Sequence, residues 1–213
     1  MKTYLFDFDG TLVDSMPTFV GMMKRILDEN GIAYGEELVK IITPLGYVGT
    51  ADYYVETMGV RKSREELIAT MHAYAVDAYT NAVPAQKGVV ETLHAMRARG
   101  DSLSVLTASP HAALDPCLKR LGIYDLFTYV WSCEDFGTTK SDPDIYRMAA
   151  ERLGVSVNEV IFVDDNLGAD KTAKAAGMTV WGIYDASSAE YEAQIRGVTD
   201  GYAQEFSELL AAE

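Results

Sequence analysis

Leu5-Phe6-Asp7-Phe8-Asp9-Gly10-Thr11-Leu12 is the stretch whose reading decides the fold. Apolar residues lead into it, so residues 3–8 read as a buried first strand ending at two acids. In an extended chain, positions 7 and 9 point to the same side. Two carboxylates crowded at a strand end repel each other. A hard divalent cation, which takes oxygen ligands, removes that repulsion. Asp9-Gly10 is also a turn signal, so an acidic turn that merely closes a strand is the plainer alternative.

The composition narrows the field. The 213 residues suffice for one core plus a small accessory domain. With 48% apolar residues the chain is globular rather than disordered. A formal net charge of -14 disfavours nucleic acid and anionic membranes as partners. It disfavours a phosphate ester too, unless the site reverses the field locally, as a metal ion and a lysine would. Cys117 and Cys133 form no disulfide framework and have no His or Cys at ligand spacing. Both are expected as buried free thiols in a reducing cytoplasm. The N-terminus enters a strand without the pattern of a signal peptide, and no run reaches the length of a membrane span.

Beyond the first strand the chain changes character. Residues 15–84 carry helical periodicity and no convincing strand. Phe19, Val20, Met23, Ile26 and Leu27 share one helix face, which stops at Asn30-Gly31. A short helix follows over 36–42, then Thr43 to Thr50 reads as a loop with two glycines and a proline. A third helix stops at Gly59, and Ser63 with Glu66 forms a capping box for a fourth. From residue 85 strands and helices alternate. Strands are expected over 103–106, 128–132, 160–163 and 179–183, with a possible edge strand near Tyr202. Ser109 reads as a helix N-cap before Pro110, and Asp142 as a cap before Pro143. Such alternation implies a parallel sheet with right-handed crossovers, whose ligands bind beyond the carboxyl ends of the strands. Asp7, Asp9, Thr107, Lys140, Asp164 and Asp165 all fall at such ends or in the loops after them. The helical block, inserted after the first strand, would stand over that edge as a lid.

Four short motifs, taken together, resemble the haloacid dehalogenase-like hydrolases, and the match spans nearly the whole chain. Asp7-Phe8-Asp9-Gly10-Thr11-Leu12-Val13-Asp14-Ser15 is similar to the first motif. Thr107, after Leu103-Ser104-Val105-Leu106, is similar to the second. Lys140-Ser141-Asp142-Pro143-Asp144-Ile145-Tyr146 resembles the third, and Val163-Asp164-Asp165 the fourth, aligned by Ala176-Gly177-Met178 downstream. The helical cap resembles the phosphoglycolate phosphatase and beta-phosphoglucomutase-like branch. The resemblance implies an α/β fold, with a Rossmann-like parallel-sheet core over 1–14 and 85–213 and an inserted all-helical cap over 15–84.

It also implies magnesium-dependent hydrolysis of a small phosphorylated metabolite. Asp7 would be the nucleophile that forms an aspartyl phosphate, and Asp9 the general acid and base. Thr107 and Lys140 would bind and neutralise phosphate, with Ser109 beside them. Magnesium would take Asp7, the backbone carbonyl of Asp9, and Asp165, with Asp164 as a second or outer ligand. Tyr47 is a candidate substrate contact in the cap. Alone, Thr107 could simply end a strand, Lys140 could be a solvated lysine, and Asp164 and Asp165 could cap the next helix. Asp170 resembles the trailing acid of some members, or is a helix N-terminal charge. His111, in the first turn after Thr107, is a further possible contact, whereas His72 and His94 read as helix-surface residues.

Two alternatives accompany the phosphatase reading. A beta-phosphoglucomutase-like phosphomutase would need a basic cap residue for a second phosphate, and residues 41–60 contain no Lys or Arg, although Lys24 or Arg25 could substitute. A noncatalytic phosphate-binding module would be signalled by loss of Asp7, Asp9, Lys140 or Asp165, and all four are present.

Overall fold

The apolar run Val160-Ile161-Phe162-Val163 is buried along its whole length, as its lack of polar alternation requires. In the computed structural model, which describes residues 1–211, it lies inside one parallel sheet. The strands are β1 (Thr3–Phe6), β2 (Ser102–Thr107), β3 (Tyr129–Ser132), β4 (Val160–Asp164), β5 (Thr179–Ile183) and β6 (Gly201–Ala203). Their order is β3-β2-β1-β4-β5-β6, and every pairing is parallel. Leu5 pairs with Ser104 on one side and Phe162 on the other, so β1 is central. Successive strands run outward from β1 in one direction and then, from β4, in the other. That reversal falls between β1 and β4, and the carboxyl ends beside it are the ligand position of a Rossmann-like sheet.

The chain divides into two compact units: Met1–Asp14 with the chain from Val83, and Ser15–Ala82. The second unit is all helical, with α1 (Met16–Glu29), α2 (Leu38–Ile42), α3 (Gly46–Glu56) and α4 (Arg64–Asn81). Its core holds Met23, Ile26, Leu27, Tyr54, Leu67 and Met71, and the buried Tyr54 hydroxyl donates to Met23 O at 3.0 Å. The capping box forms: Ser63 Oγ accepts from Glu66 N at 3.1 Å, and Glu66 Oε2 accepts from Ser63 N at 2.8 Å.

The loop expected over Thr43 to Thr50 is not one. Thr43–Leu45 is a 3-10 turn, and α3 starts at Gly46. Gly46, at φ +61°, makes the turn between them. Gly49 lies inside α3, where a Cβ would come within 2.9 Å of Leu45 Cβ. One glycine therefore supplies a left-handed turn and the other a close approach. Tyr47 is thus a helix residue, stacked on Phe19 at 5.9 Å and edge-on to His72 at 5.0 Å.

In the first unit, α5 (Val89–Ala98), α6 (His111–Arg120), α7 (Asp144–Leu153), α8 (Leu167–Ala176) and α9 (Glu192–Val198) flank the sheet. Gly154 and Gly177 end α7 and α8 in the left-handed conformation, as expected of helix-stop glycines. Phe162 of β4 packs edge-on to Tyr146 of α7 at 5.0 Å. The Tyr146 hydroxyl donates to Lys140 O at 3.1 Å, so this core contact anchors the loop that carries the lysine. Cys117 and Cys133 are buried free thiols. The chain leaves and re-enters this unit on neighbouring paths: Val13 bridges Ala85, and Asp14 N donates to Pro84 O at 3.0 Å. Among the described residues, no helix is long and apolar enough to cross a membrane.

Candidate active site

The first strand stops at Phe6 rather than at Phe8. Asp7 N still donates to Val163 O at 2.9 Å, extending the ladder by one residue. The backbone then folds back, with Phe8 O accepting from Leu12 N at 2.9 Å and from Val13 N at 3.0 Å. A turn that satisfies its own backbone groups replaces the strand's alternation, so this turn, rather than strand pleating, sets where Asp9 stands, near enough for its charge to act on Asp7. Asp7 is buried and accepts from Lys140 Nζ at 2.6 Å. Asp9 is half-buried, and its Oδ2 accepts from Ser109 Oγ at 2.5 Å.

Lys140 stands between carboxylates. Its Nζ also donates to Asp164 Oδ2 at 2.7 Å, so one ammonium bridges the ends of β1 and β4. Burial alone would depress the lysine. The charges of Asp164 and Asp7 outweigh that and hold its pKa well above the usual value. The other oxygen of the buried Asp164 accepts from Asn166 N at 2.8 Å. Asn166, not either aspartate, caps α8, accepting from Gly168 N and Ala169 N. Asp165 is buried, and its Oδ1 lies 3.4 Å from Thr11 Oγ1.

One oxygen each from Asp7, Asp164 and Asp165 lie within 4.8 Å of one another. Burial, then the neighbouring acids Asp164 and Asp9, push the Asp7 carboxyl up to about 7 against the pull of Lys140. Burial, then Asp164 and Asp7, raise Asp165 well above the carboxylate range. Asp170, buried in the first turns of α8, has neither carboxylate oxygen hydrogen-bonded, and burial pushes it up to about 9. So acids outnumber the one lysine, and every ligand atom on offer is a hard oxygen. That donor set fits a hard divalent cation such as magnesium.

Gly10 is what lets the first loop approach the fourth motif. It sits at φ +80°, and a Cβ there would lie 2.6 Å from Asp165 Oδ1. Gly10→Ala is expected to cost about 1–2 kcal/mol in the left-handed conformation alone. It should also displace Asp165 and weaken magnesium binding, which thermal unfolding and calorimetric titration with magnesium would check.

Thr107, at the end of β2, is buried, and its Oγ1 accepts from Ser109 N at 3.0 Å. Ser109 is not the helix cap its sequence position suggests. Pro110 occupies the cap position of α6, and the Ser109 hydroxyl reaches Asp9 instead. Pro143 likewise takes the cap position of α7, while Asp142 Oδ1 accepts from Asp144 N at 3.0 Å. Two groups thus stand on the strand ends: Asp7, Lys140, Asp164 and Asp165 gathered about the ammonium, and Asp9, Ser109 and Thr107 joined by hydrogen bonds, with the charge of Asp9 acting on Asp7. Tyr47 belongs to the helical unit.

A second tier behind the first loop has no counterpart in the sequence reading. Gln86 Nε2 donates to Asp185 Oδ2 at 2.8 Å and makes a long contact, 3.4 Å, with Gly10 O. Asp185 is buried after β5 and also accepts from Ser187 N at 2.8 Å. Gln86 N donates to Leu12 O at 2.9 Å, so this pair holds the turn that carries Asp9. The partners are 99 residues apart in the chain, and no local pattern announces them.

Comparison with known proteins places the chain in a family. The sequence profile of a family described as "Haloacid dehalogenase-like hydrolase" matches residues 4–183. A phosphoglycolate phosphatase of Escherichia coli O157:H7 is 30% identical over 207 residues, covering 84% of this chain and 79% of the relative. A phosphorylated carbohydrates phosphatase of Thermotoga maritima is 24% identical over 184 residues, covering 86% and 85%. A solved Thermotoga maritima structure described as "putative beta-phosphoglucomutase" superposes with a TM-score of 0.85 at 23% identity, covering 99% of this chain and 97% of that one.

Proposed function

Because the chain belongs to the haloacid dehalogenase-like hydrolases, we propose that it is a magnesium-dependent phosphatase of small phosphorylated metabolites, working through an aspartyl phosphate on Asp7. The phosphatase names of its relatives put it among enzymes that act on phosphate esters. The observation that carries the finer reading is the Lys140 ammonium, held 2.6 Å from Asp7 and 2.7 Å from Asp164. A phosphate monoester is an anion and resists an anionic nucleophile. A fixed ammonium beside that nucleophile offsets the charge where it would develop.

In the proposed sequence an Asp7 oxygen bonds to phosphorus as the bond to the leaving oxygen breaks. Asp9, swinging from Ser109, gives that oxygen a proton. It then takes a proton from the water that attacks the aspartyl phosphate, and inorganic phosphate leaves. Thr107 donates to a phosphate oxygen once its own acceptor role toward Ser109 N is complemented by the free hydroxyl hydrogen. Magnesium, held by Asp7, Asp165 and the Asp9 carbonyl with Asp164 behind, would supply the remaining charge neutralisation. We assign substrate choice to the helical unit, with Tyr47 as candidate contact. The cytoplasm, where free thiols persist, is the proposed compartment.

The test is a panel of phosphorylated metabolites with magnesium present, following both phosphate release and isomer formation. Phosphate release from a small metabolite supports the reading. Isomer formed much faster than phosphate, in the presence of a trace of bisphosphate, would replace it with the phosphomutase. The acidic residues of 41–60 argue against that outcome: Asp52 is already paired with Arg64 at 2.8 Å, and no base lies within the stretch.

Metal removal gives a separate expectation. Exhaustive chelation should abolish turnover, and magnesium should restore it. Magnesium should also raise the unfolding temperature, by the equivalent of about 2.7 kcal/mol at a hundredfold excess over its Kd. Full activity in the chelated protein would contradict the assignment.

A further inference from the structure

His111 opens α6, two residues after Ser109, with its ring between two carboxylates. Nδ1 lies 2.9 Å from Asp115 Oδ1, one turn along the same helix. Nε2 lies 2.8 Å from Asp135 Oδ2, in the 3-10 turn Cys133–Phe136 that follows β3. That same Asp135 oxygen accepts from Ser132 N at 2.9 Å. Arg152 of α7 holds the turn from another side, donating to Asp135 O at 3.0 Å and lying over the Phe136 ring at 3.8 Å.

The geometry favours the protonated ring. A neutral imidazole has one N–H and one lone pair, so it can donate to one carboxylate only. Its other nitrogen would then present a lone pair to an anionic oxygen at under 3 Å. The imidazolium donates on both sides. The hydrogen bond to Asp115 is the largest effect on the ring and raises its pKa; burial opposes it, and Asp135 adds to the rise. The charged groups facing the ring are Asp115 on its own helix and Asp135 on the turn, with the Arg152 charge acting on Asp135.

The two segments that His111 joins both carry site residues. Upstream stand Thr107 and Ser109, and downstream of the 3-10 turn the chain runs through 137–139 to Lys140. We propose that His111, as the imidazolium, is a positioning residue: it clasps the loop of Thr107 and Ser109 to the turn leading to Lys140, and the clasp opens when the ring loses its proton. This rests on the phosphate-binding roles given above to Thr107 and Lys140. The sign follows from the raised pKa. The clasp is complete below the ordinary histidine value, about 6.5, and is lost as pH rises through the higher folded value.

The test uses inorganic phosphate, with magnesium, as the ligand. Its affinity is measured by calorimetry between about pH 6 and pH 9 for the wild type, His111→Gln and His111→Arg. Phosphate itself titrates in this range, so the ratio to wild type at each pH is the quantity read. Glutamine has one amide nitrogen and one acceptor oxygen, so it cannot donate from both ring positions, whereas arginine stays charged throughout. His111→Gln should bind phosphate about two- to fivefold more weakly at the acid end, a size suited to a partly exposed ion pair, and equal the wild type at the alkaline end. His111→Arg should exceed the wild type at the alkaline end by a similar factor. Proton NMR of the His111 ring should show a titration midpoint above the ordinary histidine value of about 6.5. A His111 midpoint at or below that value, or a His111→Gln ratio that stays at one across the range, would overturn the clasp. Failure of the phosphatase reading looks different: no monoester is hydrolysed, while the phosphate-affinity ratio still changes with pH.

Discussion

Asp7→Asn is expected to lower kcat by roughly four orders of magnitude or more, as removal of a covalent nucleophile does. The amide keeps the shape of the carboxylate but cannot form the phosphoryl ester bond. Lys140 loses the charge of its 2.6 Å partner, though the amide oxygen can still accept, and it keeps Asp164 at 2.7 Å, so the ammonium is not stranded. One of three mutually repelling carboxylates becomes neutral at the same time. The two effects oppose each other, and stability should change by no more than about 1 kcal/mol. Steady-state kinetics and thermal unfolding test the two halves independently. A folded Asp7→Asn protein with normal turnover would remove Asp7 from the chemistry.

Lys140→Ala should fail in both respects. It leaves Asp7 and Asp164, both buried, without their counter-ion. Stranding a buried charge costs about 3–5 kcal/mol. In a chain of this length that lowers the unfolding temperature by roughly 6–20 °C, at about 2–4 °C per kcal/mol. Turnover should fall by about a thousandfold, because the lost positive charge faces the developing negative charge of the transition state. Magnesium should return part of the stability and little of the rate, since it relieves the acids without replacing the lysine. A Lys140→Ala protein that unfolds at the wild-type temperature without added metal would show that the ammonium bridge is not what holds these carboxylates.

Much of this arrangement was legible in residue order, for local reasons. A run such as Thr179 to Ile183 states its own strand, and the stops at Gly154 and Gly177 follow from a backbone conformation that only glycine adopts freely. What escaped was what depends on partners distant in sequence. Ser109 before Pro110 is a helix cap on any local rule, and its hydroxyl reaches an aspartate 100 residues earlier. Gln86 and Asp185 follow no periodicity at all. Gly46 and Gly49 looked alike as loop markers, but one turns the chain and the other admits Leu45. Sequence pattern reports the backbone freedom of glycine without saying which use is made of it.

The neighbouring paths at Val13 with Ala85 and Asp14 with Pro84 have an evolutionary consequence. A segment whose two ends emerge side by side can be lengthened, shortened or exchanged without moving either flanking strand, because the host sheet senses only the gap between its ends. The inserted helices bring their own apolar interior, built around Tyr54 and Met23, so they do not draw on the sheet's interior for cohesion. Mutations in residues 15–82 and in the acids of the strand ends can therefore accumulate under separate selection, and, on the proposal that substrate choice lies in the helical unit, a lineage could exchange this one cassette and leave the strand-end acids unaltered.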